Sequence, residues 1–433
     1  MDIKKTKKYK LEFFILILIS FLSYWRSPYI FTHGRFMSEE GSKHFAYAYE
    51  NGFWEGLFYV EKMAGYYNFI ANFLAGLSTL IVIEFSPLIT AYGSLIFILL
   101  LIYFVLFRDS ELFDNKKKKI IGSFLLFITP PFVAEIWANS INSQIYLCLS
   151  AVVILFMVNL SNFQKKINHF IILIASFSGI YTCCLLPLYA MNFIFKKNFY
   201  NLLNFLILFT ASCFQLFLIY QSKTNNLLPA SVLAADLDIN TVINYIYNVL
   251  IKSFFGRHFV HFFWENLNSI IISLNYIYVL FSFIFLILII LLFNYKKITN
   301  LLIKDKVLLY LILIFLIISA LVLIGSVGYY IGGRYAAVPG AILLLITLHV
   351  LFKTQLIKIK IIFSFLIFFS LASGSYEFRP PKGNLKHNYI KMLDCLNCPV
   401  WKNEIQKWKI DNQYMIEIWP YPKKNMKLKK PSD

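Results

Sequence analysis

The run LITAYGSLIFILLLIYFVLF, residues 88–107, contains 20 consecutive residues without a charged side chain. A helix of this length is about 30 Å long, which matches the hydrocarbon thickness of a bilayer. Similar apolar runs recur along the 433-residue chain, which is 59% hydrophobic and only 15% charged. The runs are continuous rather than alternating, so they are predicted to form helices and not barrel strands. The sequence therefore predicts an all-α polytopic transmembrane helical bundle with about 9–11 membrane helices.

The basic residues indicate how the chain is oriented. Most lysines lie in short tracts between apolar runs, and such tracts stay on the cytoplasmic side of a membrane. Five lysines in residues 1–10 therefore place the N-terminus in the cytoplasm, ahead of an uncleaved first helix at Leu11–Trp25. That helix delivers residues 26–66, the first outer loop, to the opposite side. Because these tracts explain the net charge of +19, no nucleic-acid partner is predicted.

Two apolar runs, residues 67–83 and 88–107, precede the next basic tract at Lys116–Lys119. If both runs crossed the membrane, that tract would lie outside, so the first run is predicted to lie in or dip into the outer interface. The run His169–Phe195 has polar or basic ends and a central SGIYTCC, which predicts a hairpin of two short helices. Residues 221–268 are predicted to form a long outer segment.

The predicted transmembrane domain covers residues 1–375, and residues 376–433 form a small polar C-terminal tail. The predicted topology puts this tail on the outer, periplasmic side as a cap, whereas one crossing more or fewer would put it inside. Cys395 and Cys398 form a C-x-x-C pair in the tail. A local disulfide is favoured for that pair in an oxidising compartment.

The first outer loop contains adjacent carboxylates at Glu39 and Glu40. Two acids beside an apolar slab repel each other, and partial burial raises the pKa of one or both. A carboxylate in that state can act as a general base toward a hydroxyl group. The alternative is a solvated acidic turn that caps a helix beginning near Lys43. The aromatic block in residues 45–59 predicts one or two interfacial helices.

The second outer loop concentrates polar side chains between apolar flanks: Glu135, Asn139, Asn142 and Gln144. Carboxylate and amide groups can bind a sugar through paired hydrogen bonds. The same residues are equally compatible with a polar loop that caps the next helix. The two readings remain open at the level of the sequence.

A basic residue stands at a third outer position, in Gly332-Gly333-Arg334-Tyr335. An arginine preceded by two glycines, which allow close approach, is suited to binding a phosphate. The alternative is an interfacial anchor whose charged end reaches water. Arg257 and His258 in the long outer segment offer a similar but weaker choice. A histidine pair spaced i, i+3, here with His261, does not define a metal site, so no metal or cofactor is predicted.

Several motifs, taken in order, resemble a group of bacterial polytopic membrane proteins of the GT-C class of glycosyltransferases. In that group a Glu-Asp-Gly element leads into a helix, and a Gly-Tyr pair leads to an apolar stretch that ends near a proline. The corresponding positions here are Glu39-Glu40-Gly41, Gly65-Tyr66 and Pro87. Glu40 departs from the usual aspartate by one methylene group.

The resemblance implies a function in the bacterial inner membrane. Such enzymes transfer a sugar from a polyprenyl-phosphate donor to an acceptor hydroxyl of a glycan, lipid or protein on the outer face, with inversion at the sugar. By resemblance, Glu39 or Glu40 is the base and Arg334 holds the phosphate of the lipid donor. The full set of predicted substrate-binding residues is Lys43, His44, Tyr66, Glu135, Asn139, Asn142, Gln144, Arg257, His258, Arg334 and Tyr335.

Two other functions compete with this interpretation. A polymerase or ligase of lipid-linked glycans shares the many helices and the outer loop, and it would depend on basic residues such as Arg257 and His258. A transporter or flippase is expected to carry charged residues deep in its spans and internal repeats. The predicted spans contain almost no ionisable residues and no inverted repeat is apparent, so transport ranks third.

Overall fold

The computed structural model describes residues 9–62, 64–225, 239–257, 305–325, 333–379, 398–419 and 424–429. These described residues are 77% helical with almost no sheet. Five helices in the described ranges are long and apolar enough to cross a membrane: Ile83–Phe107, Phe199–Thr224, Lys306–Gly325, Gly333–Lys353 and Ile357–Phe378. The predicted class, an all-α helical membrane protein, is confirmed at this level.

The first half of the chain begins with a helix that leads into the first outer loop. Its elements are α1 (Lys10–Arg26), α2 (Pro28–Thr32), a π-helical turn (Glu40–Phe45), α3 (Ala46–Asn51), α4 (Phe53–Leu57), α5 (Phe69–Thr79), α6 (Ser86–Phe107), α7 (Lys116–Ile128), α8 (Ser143–Leu155) and α9 (Asn162–Phe177).

The second half continues the bundle and ends in the tail. Its elements are α10 (Ile180–Cys183), α11 (Leu186–Lys196), α12 (Phe199–Thr224), α13 (Ile239–Tyr245), α14 (Lys306–Gly325), α15 (Ala337–Lys353), α16 (Ile357–Phe378), α17 (Trp401–Ile410) and the antiparallel strands β1 (Ile416–Ile418) and β2 (Lys424–Met426). In the register of the strands, Ile416 pairs with Met426.

Helix α5 has only 11 residues, so its length of about 16 Å is half of what a crossing requires. Asn68 caps its first turn by accepting a hydrogen bond from the Ala71 amide at 3.2 Å. The chain then turns at Leu80 and crosses with α6. This geometry explains how two apolar runs precede the lysine tract although only one of them spans.

The hairpin between α9 and α11 breaks at Gly179, whose φ of +117° is unfavourable for any other residue. A Cβ atom at this position would collide with the Gln144 side chain, so the glycine also permits close packing. Helix α9 begins at Asn162 rather than at the predicted His169. Its first turn is fixed by a capping box between Ser161 and Gln164.

Helix α8 is the centre of the bundle, since all of its residues from Ser143 to Leu155 are buried. Its sequence is apolar or small on every side, as expected for a helix surrounded by others. One end of α8 emerges at the second outer loop and the other end reaches Leu155. The burial of α8 therefore fixes the position of Asn142 and Gln144 relative to the rest of the bundle.

The C-terminal tail packs on the first outer loop. The Ser38 amide donates to the Trp419 carbonyl at 2.6 Å, and the Trp419 amide donates to the Phe36 carbonyl at 3.1 Å. Trp401 is buried and donates from its indole nitrogen to the Ile83 carbonyl at 2.7 Å. The tail and the first outer loop therefore lie on the same side of the membrane.

The cysteines fall into two groups. Cys398 in the tail is disulfide-bonded, and its predicted partner, Cys395, lies outside the described residues. The thiols of the other four are free: Cys148, Cys183, Cys184 and Cys213. Cys148, Cys183 and Cys213 lie in apolar helices and Cys184 in the turn between α10 and α11, where they act as small hydrophobic side chains.

We expect Trp401→Ala to release the tail from the first outer loop. The substitution removes a buried aromatic side chain and its hydrogen bond, so the loss in unfolding free energy should be about 3–5 kcal/mol. Thermal unfolding in detergent and tryptic cleavage of the tail measure the effect. Trp54→Ala is the matched control because Trp54 is 68% exposed. Equal losses in both variants would contradict the packing role of Trp401.

Candidate functional site

Glu40 joins the two outer loops. Its side chain is fully buried, and one carboxylate oxygen accepts hydrogen bonds from the Ser140 amide at 2.8 Å and the Ser140 hydroxyl at 2.7 Å. The other oxygen accepts from the Met37 amide at 3.2 Å. Burial raises the pKa of Glu40, although the bonds from Ser140 and the charge of Arg35 oppose this. The alternative of a solvated acidic turn is therefore wrong for Glu40.

Arg35 supplies the positive charge that accompanies Glu40. Its guanidinium group is buried and donates from Nη2 to the Trp137 carbonyl at 3.2 Å. The same group lies 5.4 Å from the centre of the Trp419 ring. Burial lowers the pKa of Arg35 to about 10, and the negative charge of Glu40 opposes this decrease. The two buried charges thus stabilise each other between the loops and the tail.

Glu39 occupies a different environment from its neighbour, because its side chain is 47% exposed. Its carboxylate lies 3.9 Å from the Lys424 ammonium group on β2. Partial burial alone would raise the pKa of Glu39. The net pKa is nevertheless lowered, because the carboxylate accepts hydrogen bonds from its own amide and from Ser38 and lies near the positive charges of Lys424 and Arg334. Glu39 is therefore ionised and accessible at neutral pH.

Arg334 lies in the short turn Gly333–Ala336 that precedes α15. Its Nε atom is 3.8 Å from the Glu135 carboxylate, and each of these two side chains is about one third exposed. The guanidinium group also lies 5.2 Å from the centre of the Tyr335 ring. Gly333 has a φ of +56°, and a Cβ atom there would collide with the Glu135 carboxylate. The sequence-predicted phosphate ligand and the acidic residue of the second loop therefore meet.

The amides of the second loop organise that loop. The Asn142 side-chain amide donates to the Glu135 backbone carbonyl at 3.1 Å. The Asn139 side-chain oxygen accepts from the Ile141 backbone amide at 3.0 Å. Gln144 donates to the Tyr66 hydroxyl at 3.4 Å. Since Tyr66 lies close enough to interact electrostatically with Arg334, Gln144 is part of the same site. Asn139 instead links the two loops, because its side-chain amide donates to the Met37 sulfur at 3.3 Å.

Other predicted residues lie apart from Arg334. The Lys43 ammonium group faces Glu61 at 3.8 Å. His44 is buried and its Nδ1 atom is 2.7 Å from the Asn72 side-chain oxygen. Burial lowers the pKa of His44, against the bond to Asn72 and the charges of Glu61 and Glu39. Lys43 and His44 therefore support the fold of the first loop.

The predicted pair in the long outer segment is only partly described. The Arg257 amide donates to the Glu377 carboxylate, which ties the segment to the end of α16. His258 and His261 lie outside the described residues.

Lys252 and Tyr181 were not predicted from the sequence. Lys252 is 7% exposed. Burial lowers the pKa of Lys252, and the charges of Glu377 and Glu135 oppose this. Tyr181 is near Tyr66, Tyr335 and Arg334. Neither residue belongs to a recognisable motif, although the central SGIYTCC of the hairpin was a polar signal that could have drawn attention to Tyr181.

The site therefore combines acidic and basic side chains at the end of the bundle on which the tail packs. Within the described ranges, no group of three or more His, Cys, Asp or Glu side chains is arranged to hold a metal ion. No family model matches the chain, and no curated protein or solved structure is significantly similar to it.

The opposite pKa shifts of the two acids predict opposite effects on stability. Because the pKa of Glu40 is raised in the folded protein, Glu40 contributes stability at low pH that is lost as the pH rises through its folded-state pKa. Because the pKa of Glu39 is lowered, Glu39 contributes stability at higher pH that is lost as the pH falls through its folded-state pKa. As the pH rises from about 4 to about 6, the free energy of unfolding of Glu40→Gln should increase relative to that of the wild type. Over the same range, that of Glu39→Gln should decrease relative to the wild type.

Thermal unfolding of the three proteins across this pH range measures the difference. Glu55→Gln on the exposed side of the first loop is the control, and it should leave the slope of unfolding temperature against pH unchanged. Slopes of the same sign for Glu39→Gln and Glu40→Gln would contradict the assigned environments.

Proposed function

We propose that this protein is a membrane glycosyltransferase of GT-C-like architecture. It transfers a sugar from a polyprenyl-phosphate donor to an acceptor hydroxyl on the outer face of the bacterial inner membrane. The observation that carries the proposal is the approach of Glu39, Arg334 and Glu135, which come from three separate regions of the chain. An accessible carboxylate beside a guanidinium group suits a reaction that removes a proton and releases a phosphate.

The donor's chemistry matches the position of the site. A polyprenyl chain requires lipid, while its phosphate and sugar require polar partners at the membrane surface. Arg334 stands at the beginning of the membrane helix α15, where it can bind a phosphate whose chain lies between helices. Lys252 adds a second positive charge near Glu135. Tyr66, Tyr335 and Gln144 supply hydroxyl and amide groups for sugar or acceptor.

In the proposed reaction the acceptor oxygen attacks the anomeric carbon of the donor sugar. The bond from that carbon to the phosphate oxygen breaks, and polyprenyl phosphate leaves with the bonding electrons. Glu39 accepts the proton of the attacking hydroxyl. Arg334 and Lys252 stabilise the negative charge that develops on the leaving phosphate. Attack from the face opposite the phosphate inverts the sugar.

The roles of the two adjacent acids differ in this proposal. Glu40 has both carboxylate oxygens engaged by Ser140 and Met37, so it positions the loop and does not contact the acceptor. Glu39 is the base because it is accessible and lies in the field of Arg334. This assignment narrows the prediction from the sequence, which offered either residue.

We expect Glu39→Gln to lower the rate of sugar transfer by at least about 100-fold, since a general base contributes about that much or more. The measurement is transfer from a polyprenyl-phosphate sugar by the purified protein in detergent, with thermal unfolding at fixed pH as the test of folding. Glu55→Gln, which removes the same charge from an exposed position of the first loop, should keep full activity. Full activity in both Glu39→Gln and Glu40→Gln would refute the enzyme assignment.

We expect Arg334→Gln to reduce kcat/KM for the donor by about 10- to 100-fold, the range for a lost charge-assisted hydrogen bond. Arg334→Lys should recover part of this loss, because it keeps the charge but not the planar pair of donors. Inhibition by polyprenyl phosphate, which competes with the donor, should weaken in the same variants and in the same order. Lys353→Gln at the far end of α15 removes the same charge and is the control. Unchanged competition in Arg334→Gln would exclude Arg334 as the phosphate ligand.

The competing function as a glycan polymerase or ligase makes a different prediction. It requires the basic residues of the long outer segment, so loss of activity in Arg257→Gln with none in Glu39→Gln would favour it. Transfer of sugar in detergent, without a vesicle gradient, would exclude pure transport.

A further inference from the structure

A second polar cavity lies at the opposite end of the bundle from Arg334. Its volume is about 200 Å³, and its wall combines the ends of four helices with the connection between α8 and α9. Helix α8 separates the two places: Gln144 in its first turn belongs to the outer site, and Leu155 at its other end lines this cavity. The separation of 11 positions from Gln144 to Leu155 corresponds to about 16 Å of helix.

The cavity is lined by amides and lysines. Its polar lining residues are Asn159, Lys165, Asn192, Lys196, Asn198, Tyr200, Asn201 and Asn204. Among the residues that the structure describes, no Asp or Glu side chain lines it. Arg108 lies close enough to Tyr200 to act on it electrostatically. Asp109 and Glu111, which follow Arg108, have exposed side chains. The cavity is therefore positively charged and rich in hydrogen-bonding groups.

Several of the amides are held in place. Asn192 donates to the Asn201 side-chain oxygen at 3.2 Å, and the Asn204 oxygen is 2.7 Å from the His169 Nδ1 atom. These asparagines are buried from bulk solvent, with exposures of 7%, 3% and 1% in the order Asn192, Asn201 and Asn204. The bond between Asn192 and Asn201 uses one amide atom of each. The remaining carbonyl of Asn192 and amino group of Asn201 can bind a ligand as acceptor and donor.

Three exposed phenylalanines flank the lining residues in the sequence. Phe163, Phe195 and Phe199 are 72%, 70% and 76% exposed, and each stands within three residues of a lining residue. Large apolar side chains that are exposed in a membrane helix contact lipid chains. A ligand with a polar, anionic head and an apolar tail would satisfy both surfaces at once.

We propose that this cavity binds the phosphate-bearing, hydroxylated headgroup of an anionic lipid at the basic face of the membrane. Lys165 and Lys196 contact the phosphate. The amides of Asn192 and Asn201 contact the headgroup hydroxyls, and the exposed phenylalanines contact the acyl chains. The absence of a carboxylate from the lining residues means that the site binds an anion without repulsion.

The test compares two pairs of substitutions that remove equal charge. Lys165→Gln with Lys196→Gln alters the cavity, whereas Lys166→Gln with Lys197→Gln alters the adjacent lysines, which do not line it. Binding of phosphatidylglycerol to the purified full-length protein is measured by native mass spectrometry and by the shift in Tm. Phosphatidylcholine serves as the zwitterionic lipid, and glycerol 3-phosphate as the soluble phosphate.

The wild type should bind phosphatidylglycerol in preference to phosphatidylcholine. The cavity pair should lose about 10- to 30-fold in affinity, since each lysine near an anionic lipid contributes about 1 kcal/mol. The Lys166→Gln, Lys197→Gln pair should lose clearly less affinity for phosphatidylglycerol. Equal losses in both pairs would overturn the proposal, because general surface charge would then explain binding. Competition by glycerol 3-phosphate at the same affinity would support the phosphate site and overturn the lipid as its source.

Discussion

The buried carboxylate of Glu40 is the interaction on which the outer face of the molecule depends. A carboxylate without compensation in an apolar interior is costly. Here Ser140, Met37 and the nearby charge of Arg35 offset that cost. Losing one partner of a buried charge costs about 3–5 kcal/mol, far more than the net gain of the pair. The first loop can therefore dock on the second loop in only one register.

That register determines where Glu39 points. Adjacent residues in a helical turn project in directions about 100° apart, so fixing Glu40 toward Ser140 turns Glu39 away from the protein interior. Glu39 then lies in the field of Arg334 and Lys424. The tail contributes to the same arrangement, because the Trp419 backbone pairs with Phe36 and Ser38 just before the acids. The position of Glu39 is thus a consequence of the hydrogen bonds that hold the buried Glu40 carboxylate.

Much of the fold could be predicted from apolar run length and lysine placement. That the first of the two apolar runs does not cross was predicted from the placement of the Lys116–Lys119 tract, and α5, at 11 residues, is indeed too short to cross. The start of α9 was missed because Ser161 and Gln164 form a capping box, which extends the helix seven residues toward its N-terminus. Helix α16 likewise runs to Phe378, beyond the predicted end of the transmembrane domain at residue 375, since Gly374 and Ser373 pack against neighbouring backbone instead of ending the helix.

The candidate site was predicted less completely, because its environment is set by residues that are far apart in the sequence. Spacing along the chain brought out Glu39, Glu40, Glu135 and Arg334 as polar residues at the outer edge. It could not distinguish the two acids, because the difference arises from Ser140, 100 residues away. Lys252 was missed for the same reason, since its role depends on the proximity of Glu377 and Glu135 and not on any local motif.

The two ends of α8 differ in the balance of charge, and this difference distinguishes the proposed site of sugar transfer from the proposed site of lipid binding. At the outer end, Arg334 is accompanied by Glu135 and Glu39, so a bound phosphate would meet acids as well as bases. Those acids weaken simple anion binding, and they are useful only if a proton must be removed. At the other end, Lys165 and Lys196 stand among neutral amides, with no carboxylate in the lining. That cavity can hold an anion but has no base with which to transform it.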